Sequence, residues 1–418
     1  MKGIKYKIRN KYRLWGNWLV AKILNTGLIK TKDQGDLKAD CGVKYIKYEN
    51  KEIHKFDASF GYKSEPIERA IEKRKSWLGN KVRVEELENK KYSVKCREVF
   101  VAELKNVKLF GPHAVAKTSD GQIPLENKAE IRGERGSFEG MLRSNVRQFG
   151  VLDTAKVLLE SSEQERKFDV AASILTGRTH STPAYGHWLL EILPRIRGIK
   201  KYRQRTGRHP TILVNSNIKE WQMRSLKLAG VNETNITRWN KGTALVKRYV
   251  LPKWSKAEWC ESDIEWVRKK MKSAINYKKH MGKFSKRVFI SRENMSRRRI
   301  LNRKEIMNVL STHGFRKYCP ESLTIAEQVA LFESADILVG PTGGGFTNMI
   351  FSKEVDIIEI FQPNHFITWF FELASVLGHE YLPLFGDSVD KYPNLSPHHY
   401  DFTVSASHIN DVLEDEFV

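Results

Sequence analysis

Short apolar runs alternate with longer amphipathic segments from about residue 169 onward. In the first part of this region the pattern predicts strands at 170–175, 211–215 and 245–251, and helices at 186–197 and 219–229. Short apolar runs between segments of helical period are typical of strands that are buried on both faces of a parallel sheet. This region is therefore predicted to be a doubly wound α/β domain.

A second region, from residue 285, repeats the alternation more regularly. Its apolar runs Ile337 to Val339 and Ile357 to Ile360 are flanked by helical segments, and Gly378 closes the last of these. Two such regions, joined by a segment of helical period, indicate two doubly wound domains that face each other across a cleft. The elements predicted here are strands 287–291, 315–319, 336–340, 355–361 and 381–384, helices 303–310, 325–333 and 366–377, and a helix start at 347–351.

The residues before these regions have a different pattern. Residues 34–92 are polar, rich in lysine and irregular, and predict little beyond a helix near 66–78. Two β-type runs follow, at 96–104 and 107–116, and then a turn at Asp120-Gly121.

Six segments follow from these patterns. They are a basic amphipathic N-terminal segment (1–33), an irregular lead-in (34–92), a first Rossmann-like domain with a β-rich start (93–260), a linker helix (261–284), a second Rossmann-like domain (285–390) and a C-terminal tail or helix (391–418).

The N-terminal segment predicts contact with an anionic membrane surface. Residues 1–32 contain nine Lys or Arg and no acid, and Leu14, Trp18, Leu19 and Ile23 recur near helical spacing. An amphipathic helix of this kind lies in the membrane interface with its basic residues against the headgroups. The alternative is a helix that packs on the body of the protein.

Composition narrows the classes of protein. The chain has 418 residues, 40% of them hydrophobic and 11% aromatic, which is too apolar for a disordered chain. Its net charge of +23 indicates an anionic partner. Composition does not distinguish nucleic acid, acidic lipid and a phosphorylated substrate. Cys41, Cys96, Cys260 and Cys319 lie far apart, which favours reduced thiols over a disulfide framework or a zinc site. We therefore expect a cytoplasmic protein, peripheral on the cytoplasmic face of the membrane.

The clearest candidate site is a glycine-rich turn between a predicted strand and a predicted helix. Residues 336–348 read Asp-Ile-Leu-Val-Gly-Pro-Thr-Gly-Gly-Gly-Phe-Thr-Asn. Glycines allow backbone amides to approach an anion closely, and the helix N-terminus adds its dipole. The side chains of Thr347 and Asn348 could add hydrogen bonds. The alternative is a tight turn that only packs against its neighbour, and the pattern matches neither a dinucleotide fingerprint nor a P-loop.

An arginine-rich loop follows another predicted strand. Arg292 comes directly after Ser291, and Arg297, Arg298 and Arg299 follow in the same loop. Guanidinium groups suit a diphosphate because they donate hydrogen bonds in pairs and keep their charge. The loop leaves the carboxyl end of its strand, as does the glycine turn, so both are predicted at one edge of the sheet. A solvated basic loop or an RNA site is the alternative.

The third candidate lies on the predicted helix 186–197. Its spacing places His187, Glu191 and Arg195 on one face, although Pro194 would bend the helix before the third of these. A histidine oriented by a carboxylate is a suitable general base for a hydroxyl group. The alternative for His187 is a packed core residue.

Taken together and in this order, the three segments resemble glycosyltransferase family 61. That family includes capsular-polysaccharide-type transferases and the EGF-domain-specific O-GlcNAc transferase. Its three motifs correspond here to 186–195, 290–302 and 340–351, and the last is followed by a strand that contains Glu359. The likeness covers roughly residues 95–385. In one departure, Thr342 stands where the family has a histidine, which puts the sugar specificity in question.

The resemblance implies a GT-B-like fold in which domain 93–260 takes the acceptor and domain 285–390 binds the donor. It implies an inverting transfer from a nucleotide-sugar to a glycan, polysaccharide or glycoprotein, without metal or other cofactor. The sequence contains no Asp-x-Asp, the motif by which metal-dependent transferases of another fold hold their cation. Catalysis would fall to His187 and Glu191, and donor binding to Arg292, Arg297, Arg298, Thr342, Gly343, Gly344, Gly345, Thr347, Asn348 and Glu359. Glu359 would either bind the donor ribose or cap the turn.

Two alternatives remain open on the sequence. The net charge, the arginine loop and the basic helix near 263–280 would also fit a nucleic-acid-binding protein, although nucleic acid is the less favoured partner. The threonine at position 342 would also fit a family member that binds nucleotide-sugar without transferring it.

Overall fold

A computed structural model gives the fold of the protein. It describes residues 31–32, 44–49, 53–57, 67, 69–70, 84–87, 91–95, 99–111, 114–121, 123–124, 166–175, 184–240, 242–252, 259–363, 365–387 and 400–416. The predicted amphipathic helix of the N-terminal segment lies outside these residues. So does most of the helix predicted near 66–78, of which Ile67, Arg69 and Ala70 are described and helical.

The chain divides into two compact units. Unit 1 comprises Met1–Glu52, Trp77–Gly79 and Arg97–Glu258, and unit 2 comprises Ile53–Ser76, Asn80–Cys96 and Trp259–Val418. Both units combine helices with parallel strands, so the prediction of an α/β protein is confirmed.

Unit 1 is built on a seven-stranded sheet. Its path runs β11-β10-β9-β12-β6-β2, and β7 pairs with β6. Strands β9 to β12 are mutually parallel in the order third, second, first, fourth, which is the order of one half of a doubly wound sheet. The strands of the unit are β1 (Thr31–Lys32), β2 (Lys44–Glu49), β6 (Val99–Phe110), β7 (Val115–Lys117), β8 (Ile123–Pro124), β9 (Arg166–Ser173), β10 (Thr211–Asn215), β11 (Ile236–Trp239) and β12 (Thr243–Pro252), and its longer helices are α1 (Arg195–Thr206) and α2 (Glu220–Leu228).

The β-rich start of this unit differs from its prediction in one respect. The two runs predicted at 96–104 and 107–116 form mainly one strand, β6, which pairs antiparallel with β12 along most of its length. The polar residues Lys105 and Asn106 do not break it, because both are exposed and Asn106 adopts a positive φ of 51° within the strand. Tertiary pairing therefore overrides the local polar signal.

Unit 2 is built on a five-stranded sheet in which every strand is parallel. Its order is β14-β13-β15-β16-β17, so the first strand along the chain lies between the second and the third. The strands are β13 (Arg287–Ile290), β14 (Arg316–Tyr318), β15 (Ile337–Pro341), β16 (Asp356–Phe361) and β17 (Tyr381–Phe385), each within one residue of its prediction at either end. The helices are α3 (Glu261–Ala274), α4 (Arg303–Thr312), α5 (Ile325–Ser334), α6 (Thr368–Leu377) and α7 (Ala406–Glu416).

Helices cover this sheet through apolar contacts. Side chains of α4 and α7, including Ile306, Leu310, Ile409 and Leu413, form one cluster with alternate residues of the strands, such as Val339. Helix α3, which lies in the predicted linker helix 261–284, buries Ile264, Val267 and Met271 and contacts the 3₁₀-helix Gly344–Phe351. That apolar face explains why the segment packs within the unit.

The lead-in 34–92 contains strands that its polar composition concealed. Strands β3 (Ile53–Asp57), β4 (Val84–Leu87) and β5 (Lys91–Lys95) form a separate antiparallel sheet in the order β3-β5-β4. Phe56 and Val94 are buried, and the ring of Phe56 lies 6.1 Å from that of Phe371 on α6. Polar and charged residues make up half or more of each strand, and the strands have four or five residues, so each is too short and too polar to be recognised from its pattern.

No helix in the described parts of the chain is both long enough and apolar enough to cross a membrane.

Candidate functional site

In unit 2 the glycine turn and the arginine loop meet where the strand order reverses. Strands β13 and β15 are hydrogen-bonded neighbours, although β14 comes between them in the chain. Arg292 lies two residues beyond the end of β13, and Thr342 directly follows the end of β15. In an open parallel sheet the loops diverge at such a point and leave a crevice at the carboxyl ends of the strands, where ligands bind.

The guanidinium group of Arg292 packs directly on Gly343. A Cβ atom built on Gly343 would lie 2.0 Å from Nη1 and 2.9 Å from Cζ of Arg292. No side chain other than hydrogen fits at this position without moving the arginine. The first glycine of the triplet therefore makes room for the arginine, and this contact joins the two predicted motifs.

Two other glycines are required by the neighbouring strand. A Cβ at Gly340 would lie 2.6 Å from the carbonyl oxygen of Ile290, and one at Gly345 would lie 3.0 Å from its Cγ2. None of these glycines has a left-handed backbone, and Gly343 is extended with φ of 172°. Close approach of β13 and of Arg292, not turn geometry, thus accounts for Gly340, Gly343 and Gly345.

The arginine loop concentrates positive charge beside this turn. Nε and Nη2 of Arg292 each donate to the carbonyl oxygen of Arg297 over 3.4 Å. Burial lowers the pKa of Arg292 to about 10, and the charge of Arg298 adds to this effect. Burial also lowers the pKa of Arg298, helped by the charge of Arg297. The guanidinium groups of this loop are therefore close enough for one to disfavour the charge of the next.

Glu359 is a buried member of this cluster. It is fully buried, and Tyr381 Oη donates to its Oε2 over 2.6 Å. Burial raises the pKa of Glu359 to about 7, although hydrogen bonding from Thr342 and Tyr381 and the charge of Arg298 favour its ionised form. With no surface exposed, its side chain lies behind the turn, which favours the predicted capping role over contact with a ribose.

The remaining predicted residues of the glycine segment are also buried. Thr342 is 2% exposed and lies beside Glu359, while Thr347 and Asn348 are fully buried. Nδ2 of Asn348 donates to Oε1 of Gln328 on α5 over 2.9 Å. The predicted helix start is a 3₁₀-helix that begins at Gly344, and Gly344 and Gly345 are its partly exposed residues. A ligand in the crevice would therefore meet the backbone of Gly344 and Gly345, not the buried side chains of Thr347 and Asn348.

Sequence reasoning missed a residue that fixes the arginine loop. Asp401, which is 5% exposed, accepts hydrogen bonds from the backbone N, Nε and Nη2 of Arg299 at distances of 2.8, 3.0 and 2.7 Å. It lies in the segment between the parallel sheet and α7, where no periodicity or motif marks it. The structure thus gives Arg299 a partner within the protein.

The third motif lies in unit 1 and contains an irregular helix. One α-helical turn, Tyr185–His187, continues as the π-helix Trp188–Ile192, in which Leu193 N donates to Trp188 O over 2.8 Å. The predicted helix 186–197 is therefore interrupted, and regular α-helix resumes at Arg195 after Pro194. Single π turns of this kind are frequent at functional sites.

This irregular helix still brings His187 and Glu191 together. Nδ1 of His187 lies 3.1 Å from Oε2 of Glu191, and the side chains are 18% and 2% exposed. The two side chains are thus within ion-pair distance. A neutral histidine that keeps its proton on Nδ1, facing a carboxylate, has its lone pair on Nε2, where it can accept a proton. Trp188 fixes the backbone between them through a hydrogen bond from Nε1 to Ser225 Oγ over 2.7 Å.

Arg195, the third residue of the predicted face, is buried near the end of β9. It is 6% exposed, its Nη1 donates to the carbonyl oxygen of Leu175 over 3.4 Å, and its charge acts on the hydroxyl group of buried Tyr249. The π turn and Pro194 lie between the His187–Glu191 pair and Arg195, so the angular position of Arg195 differs from that on an ideal α-helix.

The structure describes no group of three or more His, Cys, Asp or Glu side chains placed to hold a metal ion, over the ranges given above.

The comparison with known families supports the resemblance seen in the sequence. The model of the family described as Glycosyltransferase 61 matches residues 185–358, which include the His187–Glu191 pair, the arginine loop and the glycine turn. No curated protein matches the chain. The predicted resemblance is confirmed over these residues, and the chain carries a domain of glycosyltransferase family 61.

Proposed function

We propose that the protein transfers a sugar from a nucleotide-sugar to a hydroxyl group of a glycan, polysaccharide or glycoprotein, with inversion at the anomeric carbon and without a metal ion. The family implies glycosyltransferase activity in general. The observation that carries the finer proposal is the contact of Arg292 with Gly343 at the switch point of the parallel sheet.

The charges around this contact favour a diphosphate as the ligand. The charge of Arg298 disfavours the charged state of Arg292, so a ligand with two or more negative charges would relieve this repulsion. Of the nearby carboxylates, Asp401 binds Arg299, Glu359 is fully buried, and Glu321, whose charge favours the charged state of Arg292, accepts a hydrogen bond from Asn294. Nε of Arg298 is buried and has no hydrogen-bond acceptor among the residues that the structure describes. A diphosphate oxygen would supply one.

The partly exposed backbone of the glycine turn would add to this binding. Amides near the start of the helix at Gly344 can donate to phosphate oxygens, and the absence of side chains there allows close approach. Arginines and amides that bind a diphosphate also stabilise the negative charge that it gains as a leaving group. In this proposal, Arg292, Arg298 and the turn promote cleavage of the bond between the anomeric carbon and the diphosphate oxygen.

His187 is the proposed general base. The acceptor hydroxyl oxygen attacks the anomeric carbon, and its proton passes to Nε2 of His187 while the nucleoside diphosphate departs. Glu191 would hold the imidazole through Nδ1 and stabilise the imidazolium that forms. Because the attack comes from the face opposite the leaving group, the configuration at the anomeric carbon is inverted.

The Arg292→Ala variant tests the proposal. Thermal unfolding is measured with UDP, GDP, CDP, ADP and the corresponding nucleotide-sugars, and sugar transfer is followed with the donor that stabilises most. We expect the wild type to be stabilised by at least one of these compounds and the variant to lose that stabilisation while its unliganded melting temperature changes little.

Arg316→Ala is the matched control. Arg316 is exposed at the start of the neighbouring strand β14, away from the carboxyl ends, so its removal changes the net charge without touching the crevice. Equal stabilisation of the wild type and Arg292→Ala would contradict the assignment. Steeply salt-dependent binding of nucleic acid without any nucleotide effect would favour the nucleic-acid-binding alternative. Nucleotide binding without transfer to any acceptor would select the non-catalytic one.

A further inference from the structure

Three consecutive arginines in the loop have three different environments. Arg297 is exposed, and its carbonyl oxygen accepts the two hydrogen bonds from Arg292. Arg298 is half-buried beside Glu359, and Arg299 reaches Asp401. For three consecutive side chains to reach three different environments, the backbone must turn sharply within residues 297–299. Arg298 provides the turn with a left-handed backbone, φ of 58°, which is uncommon for a residue with a side chain.

A conformation of this kind persists only when its surroundings hold it in place. Asp401 does so on the C-terminal side of Arg298, where its two oxygens bind the backbone N, Nε and Nη2 of Arg299. A carboxylate that accepts from the amide and the guanidinium of one residue fixes both its backbone and its side chain.

The segment that carries Asp401 continues this contact along the loop. Phe402 N donates to Arg299 O over 3.1 Å, and Leu301 N donates to Phe402 O over 2.9 Å. Asn302 Nδ2 donates to Val404 O over 2.8 Å, and Val404 N donates back to Asn302 Oδ1 over 3.1 Å. The arginine loop is thus hydrogen-bonded to residues 401–404 over its whole second half.

Residues 400–404 are in turn anchored on the sheet. Asp387 N, just beyond β17, donates to Thr403 O over 2.8 Å, and Gln362 Nε2, just beyond β16, donates to Tyr400 O over 3.2 Å. The ring of Phe402 also packs so closely on Gly386 that a Cβ there would lie 2.5 Å from Cδ2 of the ring. The segment therefore connects the arginine loop to the carboxyl ends of two further strands.

We propose that Asp401 is a positioning residue of the diphosphate site, which holds the arginine loop so that Arg292 and Arg298 face the ligand while Arg299 is withdrawn from it. This inference deepens the proposed function and rests on it. It assigns opposite roles to adjacent arginines, and it makes the site depend on a residue about a hundred positions away in the chain. Asp401 itself contacts the loop and not the substrate.

The proposal predicts an effect opposite to that of simple electrostatics. Asp401 is an acid near Arg292, so its neutralisation by Asp401→Asn would tighten anion binding if only charge mattered. If Asp401 positions the loop, the same variant weakens binding, because Arg298 loses its fixed orientation. Arg299→Gln should weaken binding to a similar degree, and the double variant should be no worse than either single one, since the pair acts as a unit.

The experiment measures the dissociation constant of inorganic pyrophosphate by calorimetry, well below the melting temperature of each variant. We expect Asp401→Asn to raise it on the order of tenfold or more, as is usual when a supporting contact of a site is lost. The control is Glu333→Gln, which removes a largely buried carboxylate that pairs with Lys272 elsewhere in the same unit. This control should stay within about twofold of the wild type.

The outcomes separate the two proposals. Unchanged or tighter pyrophosphate binding in Asp401→Asn, with normal binding by the wild type, overturns the positioning role and leaves the site intact. Loss of binding in Glu333→Gln as well would assign the effect to general destabilisation and would also overturn it. If the wild type binds neither pyrophosphate nor a nucleoside diphosphate, the site itself is wrong, and this inference falls with it. Should Asp401→Asn not fold, Arg299→Gln alone decides, since its side chain is nearly half exposed.

Discussion

Replacing Glu359 by glutamine gives a sharp test of the electrostatics of the buried cluster. Glutamine has nearly the same shape as glutamate, and its amide oxygen can still accept the hydrogen bond from Tyr381. The substitution therefore removes the ionisation of the side chain and leaves its packing largely intact. Because Glu359 is fully buried, solvent screening does not weaken the effect.

The magnitude follows from the raised pKa. The ordinary pKa of a glutamate side chain is 4.5, and that of Glu359 in the folded protein is about 7. Each pKa unit is worth about 1.4 kcal/mol, so the ionised side chain costs the folded protein about 3 kcal/mol relative to the unfolded chain.

The same two pKa values determine whether the free energy of unfolding rises or falls with pH. Below about pH 4.5 the side chain is protonated in both states, and ionisation costs nothing. As the pH rises towards 7, the unfolded chain is ionised while the folded protein keeps its proton, so the free energy of unfolding falls. Above about pH 7 both states are ionised, and the full cost remains.

The assay is urea unfolding of wild type and Glu359→Gln at pH 5 and pH 8.5. We expect the variant to be more stable by about 3 kcal/mol at pH 8.5 and by less than about 1 kcal/mol at pH 5. Burial and the charges of Glu380 and Asp336 also raise the pKa of Asp356, but this contribution is present in both proteins and cancels in the difference.

Glu414→Gln serves as the control, because Glu414 is exposed on α7 and the change is chemically identical. It should give the same small difference at both pH values. An equal stability difference for Glu359→Gln at pH 5 and 8.5, or a less stable variant at pH 8.5, would refute the reasoning. Either result would mean that the surrounding hydroxyl groups and Arg298 fully offset the burial of this carboxylate.

Two further predictions concern the glycine turn and the His187–Glu191 pair. Gly343→Ala should leave the free energy of unfolding within about 1 kcal/mol of the wild type, since its Cβ meets the flexible end of Arg292, but it should abolish pyrophosphate binding measured by calorimetry. Gly340→Ala, whose Cβ would meet the rigid carbonyl of Ile290, should instead lose about 1–3 kcal/mol in urea unfolding, and equal stability of the two variants would contradict the geometry. His187→Ala should lower kcat on the order of a hundredfold or more in a transfer assay while the donor Kd stays nearly constant, and full turnover would remove His187 from the mechanism.

The sequence predicted the parallel strands of unit 2 and the helices between them well because their signals are local. Each buried parallel strand is a short apolar run, and Gly378 ends a helix with a left-handed backbone as glycine usually does. Arg292 and Gly343 were both placed at carboxyl ends of strands from the sequence alone. Their direct contact could not be derived, because it depends on β13 and β15 being neighbours, and no residue pattern encodes the strand order.

Other features were missed because they depend on distant partners. The burial that raises the pKa of Glu359 depends on the neighbouring strand β17, whose Tyr381 donates to Oε2 and partly offsets the rise. The separate sheet of the lead-in requires α6, against which Phe56 packs. The π turn between His187 and Pro194 has no sequence signal of its own, so the face that His187 and Glu191 share with Arg195 was predicted from an ideal helix.

The proposed diphosphate site extends beyond the residues that the family model matches. A fragment limited to the matched residues would therefore lack part of the site. The match ends at residue 358, so it contains Arg292, Arg298 and Gly343 but neither Glu359 nor Asp401. A fragment that ended there would lack β17 and the residues that hold the arginine loop. Because the left-handed backbone of Arg298 depends on those contacts, the arginines in such a fragment would no longer be fixed beside the glycine turn. The residues up to α7 are therefore part of the proposed diphosphate site, although they lie beyond the recognisable domain.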